Sequence, residues 1–78
     1  MNKARRAKLS ECLSTLENIV SEIESIRDIE QEVYDNMPEN FQSGEKGDLV
    51  QEGVDNLDDV QSGLEEAIEG IKATLELY

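Results

Sequence analysis

Apolar residues recur every three or four positions in the first half of the chain, from about Asn2 to Asn36. With Leu9 assigned to heptad position a, three rows of one helix carry nearly all of them. Position a holds Leu9, Leu16, Ile23 and Met37, position d holds Cys12, Ile19, Ile26 and Val33, and position e holds Leu13, Val20 and Tyr34. This stripe is wider than the seam of a two-stranded coiled coil, so it predicts a helix that contacts more than one neighbour.

One charged residue, Glu30, interrupts position a of this stripe. Arg27 lies three residues earlier, which is close enough on a helix for the two side chains to meet. One interpretation is that the stripe opens to solvent near the end of the helix. The other is that Glu30 and Arg27 set the register between subunits, as polar residues at position a do in coiled coils.

The second half of the chain, from Glu45 onward, repeats the pattern with a sharper division of charge. With Val50 at position a, Leu57, Leu64, Ile71 and Tyr78 follow at a, and Val54, Ile68 and Leu75 lie at e. The acids from Asp48 onward all fall on b, c or f, opposite the seam. They are Asp48, Glu52, Asp55, Asp58, Asp59, Glu65, Glu66, Glu69 and Glu76. Gly63 and Gly70 share position g, where another helix could approach closely.

The segment 37–44 between the two patterns predicts a turn. Pro38 cannot continue a helix without loss of a hydrogen bond. Ser43 is the predicted N-cap of the second helix, and Glu45 suits the positive end of its dipole. Met37 and Phe41 are expected to cover the end of the hairpin as an apolar plug.

The predicted fold is all-α: one antiparallel helical hairpin over residues 1–78, with helices at 2–36 and 45–77. A hairpin has a single seam, which is too little to cover both stripes. The sequence therefore predicts a homodimer that forms an antiparallel four-helix bundle. The alternative is a compact monomer in which the first helix is broken.

Charge is distributed unevenly over the 78 residues, whose formal net charge is -12. Four of the seven basic residues lie in the first eight positions, and all 19 acids follow residue 8. The acidic body should repel nucleic-acid phosphates and anionic lipid and attract basic protein surfaces. The alternative is that the acidity only keeps a small bundle soluble.

Location is predicted from the same composition. The basic start is not followed by an uninterrupted apolar run, which argues against a signal peptide. No stretch approaches the roughly 18 apolar residues of a membrane span. With Cys12 as the one cysteine, a reducing cytoplasm is the expected compartment.

The residue types disfavour catalysis, a cofactor or a dedicated metal site. The chain has no histidine, and Cys12 at position d is expected to be buried as a core residue. The carboxylates are expected on a convex face without a cleft to perturb their pKa values. Asp55, Asp58 and Asp59 share a helix face but lack the pattern of a calcium loop, so they predict incidental cation binding at most.

The basic N-terminus, Lys3, Arg5, Arg6 and Lys8, has two interpretations. In an antiparallel hairpin it lies beside Glu69, Glu76 and the terminal carboxylate, so local charge pairing explains it. Alternatively, a ring of these residues at the end of an oligomer could bind a small signalling nucleotide. Four charges beside an acidic body are too few to predict direct binding to duplex DNA.

The main candidate site is the acidic face of the second helix. We define the acidic face as Asp48, Glu52, Asp55, Asp58, Asp59, Glu65, Glu66 and Glu69. Its expected partner is a basic host protein surface, for which it could compete with DNA. A third interpretation is a structural helix pair whose partner is itself.

Two segments resemble small acidic proteins of bacteriophages and prophages. They are Tyr34-Asp35-Asn36-Met37-Pro38-Glu39-Asn40-Phe41-Gln42-Ser43, with its Pro-Glu-Asn turn, and Val54-Asp55-Asn56-Leu57-Asp58-Asp59. The resemblance spans roughly residues 34–71. It implies a phage origin, a helical hairpin and action in the host cytoplasm. Proteins of this build include inhibitors of host defence, some of them nucleic-acid mimics and some sponges for signalling nucleotides.

Overall fold

The computed structural model describes residues 1–78 as two long antiparallel helices joined through one short helix. Helix α1 spans Lys3–Asp35, α2 spans Glu39–Gln42 and α3 spans Glu45–Glu76. The predicted all-α hairpin is confirmed, with α1 packed along α3. The molecule is a rod of 58 × 14 × 13 Å. Its radius of gyration of 17.6 Å far exceeds the roughly 11.5 Å of a compact 78-residue domain, so most side chains stay close to solvent.

The ends of α1 follow from its flanking residues. Asn2 has extended backbone angles, and its Oδ1 accepts a hydrogen bond of 2.9 Å from the Arg5 N–H, as an N-cap does. The helix ends at Asp35, because Met37 precedes Pro38 and helical angles are disfavoured there. Arg5 and Arg6 lie in the first turns of α1, which is unfavourable for the dipole of their own helix.

The connection differs from the predicted open turn at 37–44, because α2 forms inside it. Ser43 is not the N-cap of the second helix. It already has αR angles at the end of α2, and its hydroxyl donates to the Glu39 carbonyl at 3.0 Å. Gly44 takes the N-cap position instead, since its backbone is extended (φ -103°, ψ -170°). The predicted plug forms only in part, because Met37 is half-buried while Phe41 is 46% exposed under the Lys46 ammonium.

Helices α1 and α3 meet along rows a and e rather than a, d and e. The residues turned toward the seam alternate in steps of three and four. In α1 they are Leu9, Leu13, Leu16, Val20, Ile23, Arg27, Glu30 and Tyr34, and in α3 they are Gly47, Val50, Val54, Leu57, Gln61, Leu64, Ile68, Ile71 and Leu75. Row d lies outside the seam, so Cys12 is exposed and the prediction that it is buried is wrong.

The choice of row e over row d follows from the side chains of α3. Two helices bury only two adjacent rows each, and row a lies between d and e. In α3, row e carries Val54, Ile68 and Leu75, whereas row d carries Gly53, Ala67 and Thr74 beside a single Val60. More apolar area is therefore buried when row e faces α1.

The resulting core is thin. Val54, with no exposed surface, and Ile68, 7% exposed, are its two buried hydrophobic residues. The accessible surface is 5645 Å². A typical folded monomer of this mass exposes about 4,800 Å². The hairpin alone thus leaves unusually much of its surface in water.

An ion pair between Arg27 and Asp58 ties the two long helices together. Arg27 Nε donates to Asp58 Oδ1 at 2.8 Å, and Nη2 reaches Oδ2 at 3.5 Å. Asp28 lies 3.4 Å from Nη1. The sequence suggested Glu30 as the partner of Arg27, but no such pair forms. The guanidinium spans the helices and pairs with Asp58 of α3, within one hairpin.

We expect Arg27→Asp to lower the melting temperature, because it places a carboxylate opposite Asp58. The swapped variant Arg27→Asp/Asp58→Arg should recover most of the loss. Thermal melts of wild type, both single variants and the swap, followed by circular dichroism, form a double-mutant cycle. If the swap is no more stable than additivity predicts, the pair does not set the register.

Candidate functional site

Every residue of the acidic face is exposed on the outer sides of α3. From Asp48 to Glu69 the face extends for roughly 32 Å, since a helix rises about 1.5 Å per residue. The helix supplies this one-sided arrangement because the acids recur at the b, c and f positions, outside the rows a and e that pack on α1.

Side-chain partners divide the acidic face into two groups. Asp58 is paired with Arg27, Glu69 Oε1 lies 3.6 Å from Lys72 Nζ, and Asp55 Oδ1 accepts a hydrogen bond from Gln51 at 3.1 Å. The remaining members have no ion pair or side-chain hydrogen bond: Asp48, Glu52, Asp59, Glu65 and Glu66. These five carboxylates are the part of the face that is free to attract a cation or a basic side chain.

A shallow groove between α1 and α3 continues the acidic surface onto the first helix. Its volume is about 310 Å³, and its walls are Glu17, Val20, Ser21, Glu65, Ile68, Glu69 and Lys72. Three carboxylates and one ammonium group therefore line the groove. Glu17 was not among the predicted site residues. Glu17 lies at position b of α1, and Glu65 lies at position b of α3. Aligning the two b rows in antiparallel register would have predicted that Glu17 joins the acidic surface.

A second concave region lies at the start of α3 and has a volume of about 360 Å³. It is lined by Glu45, Asp48, Leu49 and Glu52. Three of its four residues are acidic, so it continues the acidic face toward the turn. The N-terminal position of Glu45 and Asp48 in α3 is also favourable for the helix dipole.

The charge of Arg27 is held firmly. The pKa of Arg27 is raised above its ordinary value, mainly by the hydrogen bond to Asp58. Burial opposes this increase, and the attraction of Asp58 and the contacts with Asp28 add to it. A raised pKa in the folded state means that the stabilising effect is complete below the ordinary pKa of a guanidinium and is lost only above it. Arg27 therefore remains charged beside Asp58 throughout the neutral range.

The basic N-terminus is less closely paired than the sequence suggested. Arg6 Nη1 donates to the main-chain oxygen of Tyr78 at 3.1 Å. Neither Glu69 nor Glu76 pairs with Lys3, Arg5, Arg6 or Lys8. The bases lie beside the C-terminal end of α3, where the carbonyl dipoles are negative, so they complement the neighbouring helix rather than their own. Neither concave region includes them.

No group of three or more acidic or thiol side chains is arranged to hold a metal ion. Asp55, Asp58 and Asp59 do not form such a group either. No helix combines the length and apolar character needed to cross a bilayer. Comparison with protein families, with curated proteins and with solved structures finds no match to this chain.

Proposed function

We propose that this protein is a non-enzymatic interaction protein whose acidic face binds a basic surface of another protein. The observation that carries the proposal is the cluster of five unpaired, exposed carboxylates on one side of α3, continued by the two acidic concavities. Such a surface attracts Lys- and Arg-rich patches and repels phosphates.

The spacing of the charges supports a particular kind of basic partner. The five unpaired carboxylates, from Asp48 to Glu66, extend over roughly 27 Å, which corresponds to one free charge about every 5 Å of helix axis. One strand of DNA carries a phosphate about every 3.4 Å, and the duplex carries twice that density. The acidic face therefore has about two thirds of the charge density of a single strand, which supports a partner with a groove that binds a nucleic-acid backbone. With the resemblance to small phage proteins, this favours a phage-encoded inhibitor or nucleic-acid mimic acting on a host protein.

We further propose that the working unit is a homodimer in which two hairpins form an antiparallel four-helix bundle. The support is the thin core of one hairpin and its large accessible surface. Two copies would present two acidic faces on opposite sides of the bundle. A basic partner with two equivalent sites would then be bound with increased avidity.

Charge reversal of Asp59, Glu65 and Glu66 to Lys is expected to abolish partner binding while helicity remains unchanged. These side chains have no partners within the hairpin, so their replacement removes attraction without loss of a fold contact. The measurement is capture from a bacterial lysate on immobilised protein, followed by elution with salt and mass spectrometry. Proteins held by the acidic face should elute between about 0.1 M and 1 M salt, because screening shortens the range of the attraction.

The matched control is Glu11, Glu32 and Glu39 to Lys, which produces the same net charge away from the acidic face. These residues are also exposed, and their side chains are likewise unpaired. The control should retain the partner of the wild type. If both triple variants lose the same proteins, or neither does, the acidic face is not the binding site.

A further inference from the structure

Rows d and g of both long helices form a second surface that the hairpin leaves open. We call it the uncovered face: Cys12, Thr15, Ile19, Glu22, Ile26, Ile29, Val33, Gly53, Asn56, Val60, Gly63, Ala67, Gly70 and Thr74. In each helix, rows d and g lie on one side of the a/e seam. Because both helices are right-handed and run antiparallel, these rows fall on the same side of the hairpin in α1 and in α3. The Arg27–Asp58 and Arg6–Tyr78 contacts show which residues of α1 and α3 lie at the same height along the rod. The numbers of two such residues add up to about 85. Ile26 is thus level with Val60.

The middle of the uncovered face is apolar and open. Ile26 is 53% exposed, Ile29 59% and Val60 46%. A Cβ added at Gly63 or Gly70 would meet nothing within 4 Å. The face runs for roughly 32 Å along the rod, from the level of Cys12 to that of Val33. Exposed apolar side chains grouped in the middle of such a face mark an interaction site.

Charge singles out the same surface. Between the levels of Cys12 and Val33, Glu22 is the only charged residue of rows d and g, although 33% of the chain is charged. The other charged residues of these rows, Arg5, Lys8 and Lys46, are basic and lie nearer the ends of the rod. Two copies of a chain with a net charge of -12 repel each other unless their carboxylates point away from the contact. The uncovered face meets this condition. A basic partner would find almost no carboxylate here, so it belongs on the acidic face instead.

The accessible surface agrees with an occupant of this size. The hairpin exposes 5645 Å², which is about 850 Å² more than a typical monomer of its mass. One side of a standard stable protein interface buries about 800 Å². The excess is therefore about as large as one side of such an interface.

We propose that a second copy of this chain packs its uncovered face on this one, with α1 of each copy lying on α3 of the other. The inference rests on the proposed homodimer and assigns its interface. The two turn ends then lie at the same end of the bundle, and all neighbouring helices are antiparallel. The larger residues of α1 meet the smaller residues of α3 at each level, for example Ile19 against Ala67 of the partner subunit.

Glu22 decides between this arrangement and the one in which α1 packs on α1. In the α1-on-α1 arrangement, Glu22 lies near the two-fold axis and faces its own copy, which brings two carboxylates together. With α1 on α3, Glu22 is level with Gly63 of the partner subunit instead. The missing side chain there leaves room for the carboxylate to reach solvent.

Sedimentation of wild type, Ile26→Glu and Ser25→Glu tests the interface. Both variants add one carboxylate at neighbouring positions of α1, but only residue 26 lies on the uncovered face. Wild type and Ser25→Glu are expected to be dimers at micromolar concentration. Ile26→Glu should weaken the dimer at least about 100-fold, because each copy would bury an unpaired charge. A monomeric wild type overturns both the dimer and its interface, and equal behaviour of the two variants overturns the interface.

Gly63→Glu and Ser62→Glu repeat the comparison on α3 without risk to the fold. Glutamate favours a helix more than glycine does, and residue 63 has open space around it in the hairpin. Gly63→Glu is expected to be a helical monomer and Ser62→Glu a dimer. A dimeric Gly63→Glu would contradict the proposal.

Salt separates this interface from the acidic face. Raising NaCl from about 0.1 M to 1 M should strengthen the dimer, because it screens repulsion between two acidic chains, while binding of a basic partner weakens. A dimer that dissociates in high salt would show that ion pairs, and not the uncovered face, hold it together. Failure of partner capture leaves this measurement unaffected.

The orientation is read from a spin label at the turn in Cys12→Ser/Asn40→Cys. With α1 on the partner's α3, the two labels lie at one end of the bundle, within about 30 Å of each other. With α1 on α1 they lie at opposite ends, about 50 Å apart. A distance near 50 Å would overturn the α1-on-α3 arrangement.

Discussion

Val54→Asp is expected to unfold the hairpin. Val54 is the one side chain without any exposed surface, and it lies in the seam between α3 and α1. An unpaired carboxylate there would lose its hydration, which costs about 4 kcal/mol or more. The total stability of a 78-residue domain is roughly 4–12 kcal/mol. One substitution can therefore remove most of it.

The measurement is far-ultraviolet circular dichroism with urea titration at a fixed protein concentration. Leu49→Asp is the matched control, because it adds the same charge to the same helix at a position that is 69% exposed. It should change the free energy of unfolding by no more than about 0.5 kcal/mol. Equal loss of helicity in both variants would show that the core is not centred on Val54.

Gly47→Ala is expected to open the turn end of the hairpin and to lower the free energy of unfolding by about 3 kcal/mol. Gly47 is buried against the main chain of Gln42, and a Cβ there would overlap the Gln42 carbonyl group. Main-chain atoms cannot move aside as a flexible side chain does. The same segment carries the hydrogen bond of 2.9 Å from Gln42 Nε2 to the Tyr34 carbonyl, so the docking of α2 on the hairpin is affected as well.

Gly53→Ala is the control for helix propensity. It lies in the same helix, and a Cβ there would meet nothing within 4 Å. Because alanine favours a helix more than glycine does, Gly53→Ala should raise the free energy of unfolding by up to about 1 kcal/mol. If urea titrations show a lower free energy of unfolding for Gly47→Ala and a higher one for Gly53→Ala, close packing requires glycine at position 47. Stabilisation by Gly47→Ala would contradict it.

The acidic face illustrates how far residue spacing leads toward a site. The eight acids fall on the outer positions of α3 because a helix repeats every 3.6 residues, so their exposure follows once the helix is assigned. Which of them are free depends on the other helix. Asp58 and Glu65 look equivalent in the sequence, yet only Asp58 lies within reach of Arg27. Glu17 joined the same surface for the converse reason, since its neighbours come from α3.

The sequence by itself determined the two long helices, their antiparallel hairpin and the sorting of charge to the outer side of α3, because these depend on local periodicity and on a turn at Pro38. Only the tertiary structure decided that α2 forms within the turn, that Gly44 and not Ser43 caps α3, and that rows a and e form the seam. Periodicity places three apolar rows side by side on one helix but does not say which two of them pack against the other helix. The size of the facing side chains decides this, and as a result Cys12, Ile26 and the rest of row d of α1 are exposed.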